Sequence, residues 1–138
     1  MTKTVADVMT ANPATIDASQ PVSVAAKIMS DEDTGAVIIT NDGVISGIVT
    51  DRDIAVRVVA EDKGPGTPVR DACSEDLVTV GPDTSLEQVV QLMRSKAVRR
   101  MPVVENDHAV GIISLGDLAI ERDSDSALAD ISAAEGNR

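Results

Sequence analysis

Gly47-Ile48-Val49-Thr50-Asp51-Arg52-Asp53 recurs 64 residues later as Gly111-Ile112-Ile113-Ser114-Leu115-Gly116-Asp117. Both stretches read glycine, two apolar residues, a hydroxyl, two variable residues and an aspartate. The apolar pair reads as the end of a buried strand, and the aspartate falls near the start of a helix. Outward from this pair, residues 5–58 align with 69–122 without a gap. Val5 meets Val69, Asp7 meets Asp71, Thr15 meets Thr79, Met29 meets Met93 and Ala55 meets Ala119. Eight identities over 54 positions are weak alone. The matching order of residue classes in the two halves carries the duplication.

Each half begins a helix at the same place. Thr84-Ser85-Leu86-Glu87 reads as a capping box with Thr84 at N-cap and Glu87 at N3. In the first half Pro21 reads as the first helical residue, where its missing N–H costs nothing. The stripes that follow, Val22, Ala25, Ala26, Met29 and Leu86, Val89, Val90, Met93, have the i, i+3, i+4, i+7 spacing of a one-faced helix. Two strands come next in each half, Ala36–Ile39 with Val44–Thr50 and Met101–Val104 with Ala109–Ser114. They turn at Asn41-Asp42-Gly43 and Asn106-Asp107, residues that tolerate the positive φ of a tight hairpin. Second helices are expected over about 52–60 and 116–122. Short strands are expected near Ala14-Thr15-Ile16 and Val78-Thr79-Val80, and helical lead-ins at 5–9 and 69–73.

Each half thus reads β-α-β-β-α, with repeats at 5–61 and 69–123, a Gly/Pro-rich linker at 62–68 and a polar tail at 124–138. About 55 residues bury too little core alone. The expected fold is therefore α/β, two repeats packed sheet to sheet with pseudo-two-fold symmetry and two equivalent clefts.

Composition narrows the function. The 138 residues carry 12 basic and 23 acidic side chains, a net charge of −11. A phosphate-backbone binder needs a basic face instead. No aromatic residue is present, so base-stacking platforms and aromatic membrane belts are absent. The 43% hydrophobic content is too high for a disordered acidic chain. Nineteen Val and eleven Ile against six Leu favour strands in the core. Cys73 and His108 are single, which excludes an internal disulfide and a Cys/His zinc site. Cys73 is expected to be packed rather than reactive, and His108 exposed. Asp31-Glu32-Asp33 and Asp51 with Asp53 read as solvated carboxylates rather than a magnesium site. No nucleophile elbow appears, and no enzyme is expected. No apolar segment follows Met1–Thr4 as a secretory signal requires, so a cytoplasmic protein is expected, with neither nucleic acid nor membrane as partner.

The repeated hydroxyl and aspartate have two readings. One is capping, with Thr50 and Ser114 as N-caps and Asp53 and Asp117 in the first turn. The other is ligand binding, in which the carboxylate accepts from both hydroxyls of a ribose while Thr or Ser donates to a phosphate or sugar oxygen. One copy favours the cap. Two copies in register within a repeat favour the ligand.

At these residues the chain resembles a tandem pair of CBS domains, the Bateman module, over roughly residues 5–123. Both seven-residue stretches are similar to that family's nucleotide motif. Arg99-Arg100-Met101-Pro102-Val103-Val104 is similar to its basic-apolar-Pro-Val strand, and Val5-Ala6-Asp7-Val8-Met9-Thr10 to its opening helix. The size is similar to short stand-alone CBS-pair proteins, hypoxia-response proteins among them. The resemblance implies a sensor of adenosine-containing ligands, either adenine nucleotides (AMP, ADP, ATP) or S-adenosylmethionine. It implies no cofactor, a homodimer formed through apolar helix faces, and action on an unidentified regulated protein. It implies one cleft with Thr50, Asp53, Val78, Thr79 and Val80, with Arg99 and Arg100 near phosphates. The other cleft takes Ser114, Asp117, Ala14, Thr15, Ile16 and Gly35-Ala36. The first repeat has Gly35-Ala36 where the second has Arg99-Arg100, so the second cleft has less to offer a polyphosphate. The alternative function is a ligand-free dimerising interaction module.

Overall fold

The computed structural model describes residues 3–73 and 77–122. Along the chain run α1 (Val5–Val8), β1 (Thr10–Ala11), β2 (Thr15–Asp17), α2 (Val22–Glu32), β3 (Ala36–Asn41), β4 (Val44–Thr50) and α3 (Asp51–Ile54). A π-helical turn over Ala55–Val59 and a 3₁₀ turn over Val69–Asp71 follow. The second half holds α4 (Leu86–Lys96), β5 (Arg100–Glu105), β6 (His108–Ser114) and α5 (Leu115–Arg122). The polar tail at 124–138 lies outside the described residues. Among the described residues no helix is long and apolar enough to cross a membrane.

The chain forms two compact units, and the lead-ins are exchanged between them. One unit joins the stretch ending at Asn12 to the chain from Val78 onward, and the other holds residues 13–77. Each lead-in therefore folds with the repeat it does not precede in sequence. α1 is tied by Val5 N–H to the Thr84 carbonyl at 2.9 Å and by Ala6 N–H to the Pro82 carbonyl at 3.0 Å. β1 pairs antiparallel with β6, Thr10 opposite Ile112. In the other unit Val69 N–H donates to the Gln20 carbonyl at 2.8 Å. The linker docks on the start of α2 there, with Val22 N–H on the Thr67 carbonyl at 2.7 Å.

Both units are α/β with a three-stranded sheet, ordered β2-β3-β4 in one and β1-β6-β5 in the other. One face of each sheet carries the core. Val37, Ile39 and Val49 pack with Val22, Ala25, Val58 and Val69. Met101, Val103 and Ile113 pack with Val5, Val89, Met93 and Leu118. Strand alternation then places Ala36, Ile38 and Thr50, or Arg100, Pro102 and Ser114, on the opposite face. Local geometry repeats at the 64-residue offset. Asp33 and Ala97 end α2 and α4 in the left-handed region at φ 53° and 55°, and Asp42 and Asn106 begin the hairpin turns at 52° and 53°.

Three expectations shift. Pro21 and Ser85 are the N-caps of α2 and α4, each with extended ψ of 153°. The Ser85 hydroxyl accepts from Gln88 N–H at 3.2 Å, so the box closes one residue later than Thr84 and Glu87. The Thr84 hydroxyl instead accepts from Gly81 N–H at 3.1 Å, which closes the turn before the helix. The strand expected at Val78–Val80 reduces to one bridge between Val80 and Val103. In the other sheet Ile38 N–H donates to the Ala14 carbonyl at 2.9 Å. Pro102 stands at the equivalent position and has no N–H to give. Finally, the helix after Thr50 widens into a π turn within five residues of its start.

Candidate functional site

Each sheet delivers its hydroxyl at the end of a strand and turns directly into a helix. Thr50 has φ −113° and ψ 164°, the extended conformation of an N-cap. Its backbone N–H donates to Asp53 Oδ2 at 2.9 Å. Asp53 N–H donates back to Thr50 Oγ1 at 3.0 Å. In the other unit Ser114 N–H donates to Asp117 Oδ2 at 2.9 Å, and Asp117 N–H to Ser114 Oγ at 3.2 Å. The capping reading is thus realised in full, and reciprocally. A third pair of the same spacing, Thr4 and Asp7, makes the same box at an exposed helix start outside the repeated stretch. Spacing alone therefore accounts for the cap. The two repeated pairs differ from it in being part-buried.

Capping does not use up these groups. Each carboxylate spends Oδ2 and keeps Oδ1, and each hydroxyl, having accepted, keeps its own O–H to donate. Asp53 Oδ1 lies 3.6 Å from Arg57 Nε one turn on. This partner was missed in the sequence, although its i,i+4 spacing is the signal that marks such pairs. Asp117 has Glu121 at that spacing, and Glu121 pairs with Lys3. Burial pushes the Asp117 carboxyl above its usual range, against the lowering effect of its bonds to Ser114.

The helix starts are pinned to the neighbouring strand. Asp51 N–H donates to the Gly35 carbonyl at 3.0 Å, and Leu115 N–H to the Arg99 carbonyl at 2.8 Å. Strand register sets Ala36 opposite Thr50 and Arg100 opposite Ser114. Within one unit, therefore, Ala14, Thr15, Ile16, Ala36, Thr50 and Asp53 share a sheet and its following helix. The other unit holds Val78, Thr79, Val80, Arg99, Arg100, Ser114 and Asp117; of these Arg100 and Ser114 lie on its sheet, Asp117 on the helix that follows, and Val80 meets the sheet only by its bridge to Val103. Arg99 parts from Arg100. It lines, with Arg94, Leu115 and Leu118, a cavity of about 440 Å³ between α4 and α5. Thr79 and Val80 line a second cavity of about 530 Å³ along α4, with Thr84 and Gln88.

The glycine of each motif is set by the exchanged lead-in. A Cβ on Gly47 would stand 3.3 Å from Cys73 Sγ. A Cβ on Gly111 would overlap Met9 Sδ and stand 3.0 Å from the Thr10 carbonyl oxygen. Met9 and Cys73 occupy equivalent positions in the repeat, so one packing rule serves both. Cys73 is half-buried, and burial raises its thiol pKa. His108 is exposed at the start of β6. Among the described residues no three His, Cys, Asp or Glu side chains gather as metal ligands.

Known proteins share this pattern. The CBS domain family matches residues 5–60 and 69–123. The chain is 41% identical over 132 residues to the CBS domain-containing protein YhcV of Bacillus subtilis, covering 93% of this chain and 94% of that protein. It is 30% identical over 118 residues to Hypoxic response protein 1 of Mycobacterium tuberculosis, covering 84% and 82%. The structure of a hexameric CBS-CP12 protein from bloom-forming cyanobacteria superimposes with a TM-score of 0.77 at 32% identity, covering 91% of this chain and 74% of that one. With two copies of the domain spanning most of its length, the chain belongs to the CBS-domain family, whose members are regulatory and sensing modules.

Proposed function

We propose that this protein is a stand-alone sensor of adenosine-containing ligands, such as AMP, ADP, ATP or S-adenosylmethionine, and that it regulates a separate protein in the cytoplasm. The observation that carries this reading is the part-buried hydroxyl–carboxylate pair found twice at the same place in the repeat. Capping takes Oδ2 of each carboxylate and leaves Oδ1, which in Asp53 also faces Arg57, as an acceptor for a ribose beside the motif hydroxyl. The sensor needs no cofactor. It acts by favouring one arrangement of its halves, and only by the difference in its ligand's affinity between states. The hexameric assembly of the CBS-CP12 neighbour supports self-association, here as a homodimer.

A second reading is favoured by one observation: both hydroxyl–carboxylate pairs close on themselves as reciprocal capping boxes. On that reading the chain is a ligand-free dimerising module. Thermal unfolding with AMP, ATP and S-adenosylmethionine separates the two. A ligand that binds only the native state raises Tm progressively with concentration. A Tm unmoved by all three supports the dimerising module.

A further inference from the structure

The groove of about 440 Å³ between α4 and α5 is apolar at its base and basic at its rim. Met93 and Leu118 are buried in its base and Val90 is half-buried. Arg94, Arg99 and Leu115 are exposed at its rim. Leu115 is 54% exposed, the one large apolar side chain left so open among the described residues of its unit. Neither Arg94 nor Arg99 makes an ion pair among the described residues. At the 64-residue offset the first repeat has Ser30, Gly35 and Asp51 in place of Arg94, Arg99 and Leu115. The rim is therefore particular to the second repeat and is not needed to build the fold.

The chain that follows α5 has the complementary chemistry. Residues 123–135 carry Asp123, Asp125, Asp130 and Glu135 and no cation. Leu128 and Ile131 are their two large apolar residues, three positions apart. The tether is short enough to favour this segment over any other acidic one. Arg122 ends α5, and Leu115 begins it about 10 Å back along the axis. The six residues from Arg122 to Leu128 span up to about 20 Å when extended. A segment so tethered meets the groove at an effective concentration of about millimolar.

We propose that residues 123–135 of the same chain seat in this groove, with Leu128 and Ile131 on its apolar base and their neighbouring carboxylates facing Arg94 and Arg99. The seated segment covers Leu115, the residue after Ser114. This inference stands apart from the adenosine-ligand reading.

A nitroxide attached at Ser132→Cys tests the seat in the full chain, with Cys73→Ser leaving one thiol to label. Strong broadening is expected at the amides of Arg94, Ala97 and Leu115. Combining Arg94→Glu with Arg99→Glu should remove most of it, because the tail then meets like charge. Combining Leu128→Asp with Ile131→Asp should do the same while leaving α4 and α5 untouched. That second pair keeps the test decisive if the arginine reversals disturb α4, which circular dichroism reads. A mixture of nitroxide-bearing chain without ¹⁵N and ¹⁵N-labelled chain without nitroxide isolates docking between copies. The groove should show no broadening there. Equal broadening in the mixture gives the groove to a second copy and overturns the proposal. Broadening that survives both pairs of substitutions, or that misses Arg94, Ala97 and Leu115, overturns it as well.

Discussion

Ile38 donates its backbone N–H to the carbonyl of Ala14 at 2.9 Å, and that bond zips β2 onto β3. Ile38 is fully buried, so the Ala14 carbonyl has little access to a substitute donor on that side. Ile38→Pro removes the donor and part of a packed side chain. The expected loss of stability is about 2–4 kcal/mol in urea unfolding, the sum of an orphaned acceptor and a smaller core residue. A loss below about 1 kcal/mol would show that the bond does not hold the strand. The other half supplies the natural comparison, because Pro102 lacks that donor and its short strand shrinks to a single bridge.

Gly111→Ala is expected to destabilise more than Gly47→Ala. The new methyl at 111 meets both Met9 Sδ and the backbone oxygen of Thr10, whereas at 47 it meets only Cys73 Sγ at 3.3 Å and softer contacts beyond. Overpacking of this kind costs about 1–3 kcal/mol. Pairing Gly47→Ala with Cys73→Ala should recover most of the smaller loss. Pairing Gly111→Ala with Met9→Ala should recover only part, because the Thr10 backbone stays in place. Equal recovery in the two cycles would contradict this account of the motif glycines.

Asp117 gives a pH signature. Its carboxyl pKa is raised from the ordinary 3.8, chiefly by burial. A group that binds its proton more tightly when folded favours folding fully below its unfolded pKa. That contribution is lost as pH rises through the folded value. Asp117→Asn keeps an acceptor for the Ser114 N–H but does not titrate. Measured by urea unfolding, the variant should gain stability relative to the unaltered protein as pH rises from the ordinary carboxylate value of 3.8 through the raised folded value. A difference that stays flat, or runs the other way, would contradict the burial of the charged form.

Much of this architecture is written in short-range pattern. The turn at Asp42-Gly43 and the alternation through Val37 and Ile39 follow from local sterics and burial and are found in place; of the stripe, Val22, Ala25 and Met29 face the core, while Ala26 is exposed and Ile28 packs instead. The exchange of lead-ins was not legible, because Val5 and Val69 have the same neighbours in sequence whichever unit they join. The bridge at Val80 was legible in principle, since Pro102 forbids the missing bond. The paired carboxylates were legible as a pattern, but Thr4 and Asp7 show that the pattern alone does not separate a cap from a ligand site. The two repeated pairs differ from the Thr4–Asp7 cap in their partial burial, which arises only when β3 lies against β4 and β5 against β6.

The central claim is that the repeated hydroxyl–carboxylate pairs are ligand contacts as well as helix caps. Amide ¹H–¹⁵N spectra recorded during titration with AMP test it most directly. The account predicts saturable shifts at Thr50 and Asp53, at Ser114 and Asp117, or at both pairs, while the exposed cap at Thr4 and Asp7 stays still. A spectrum that does not change, or one whose changes avoid both repeated pairs, would contradict it.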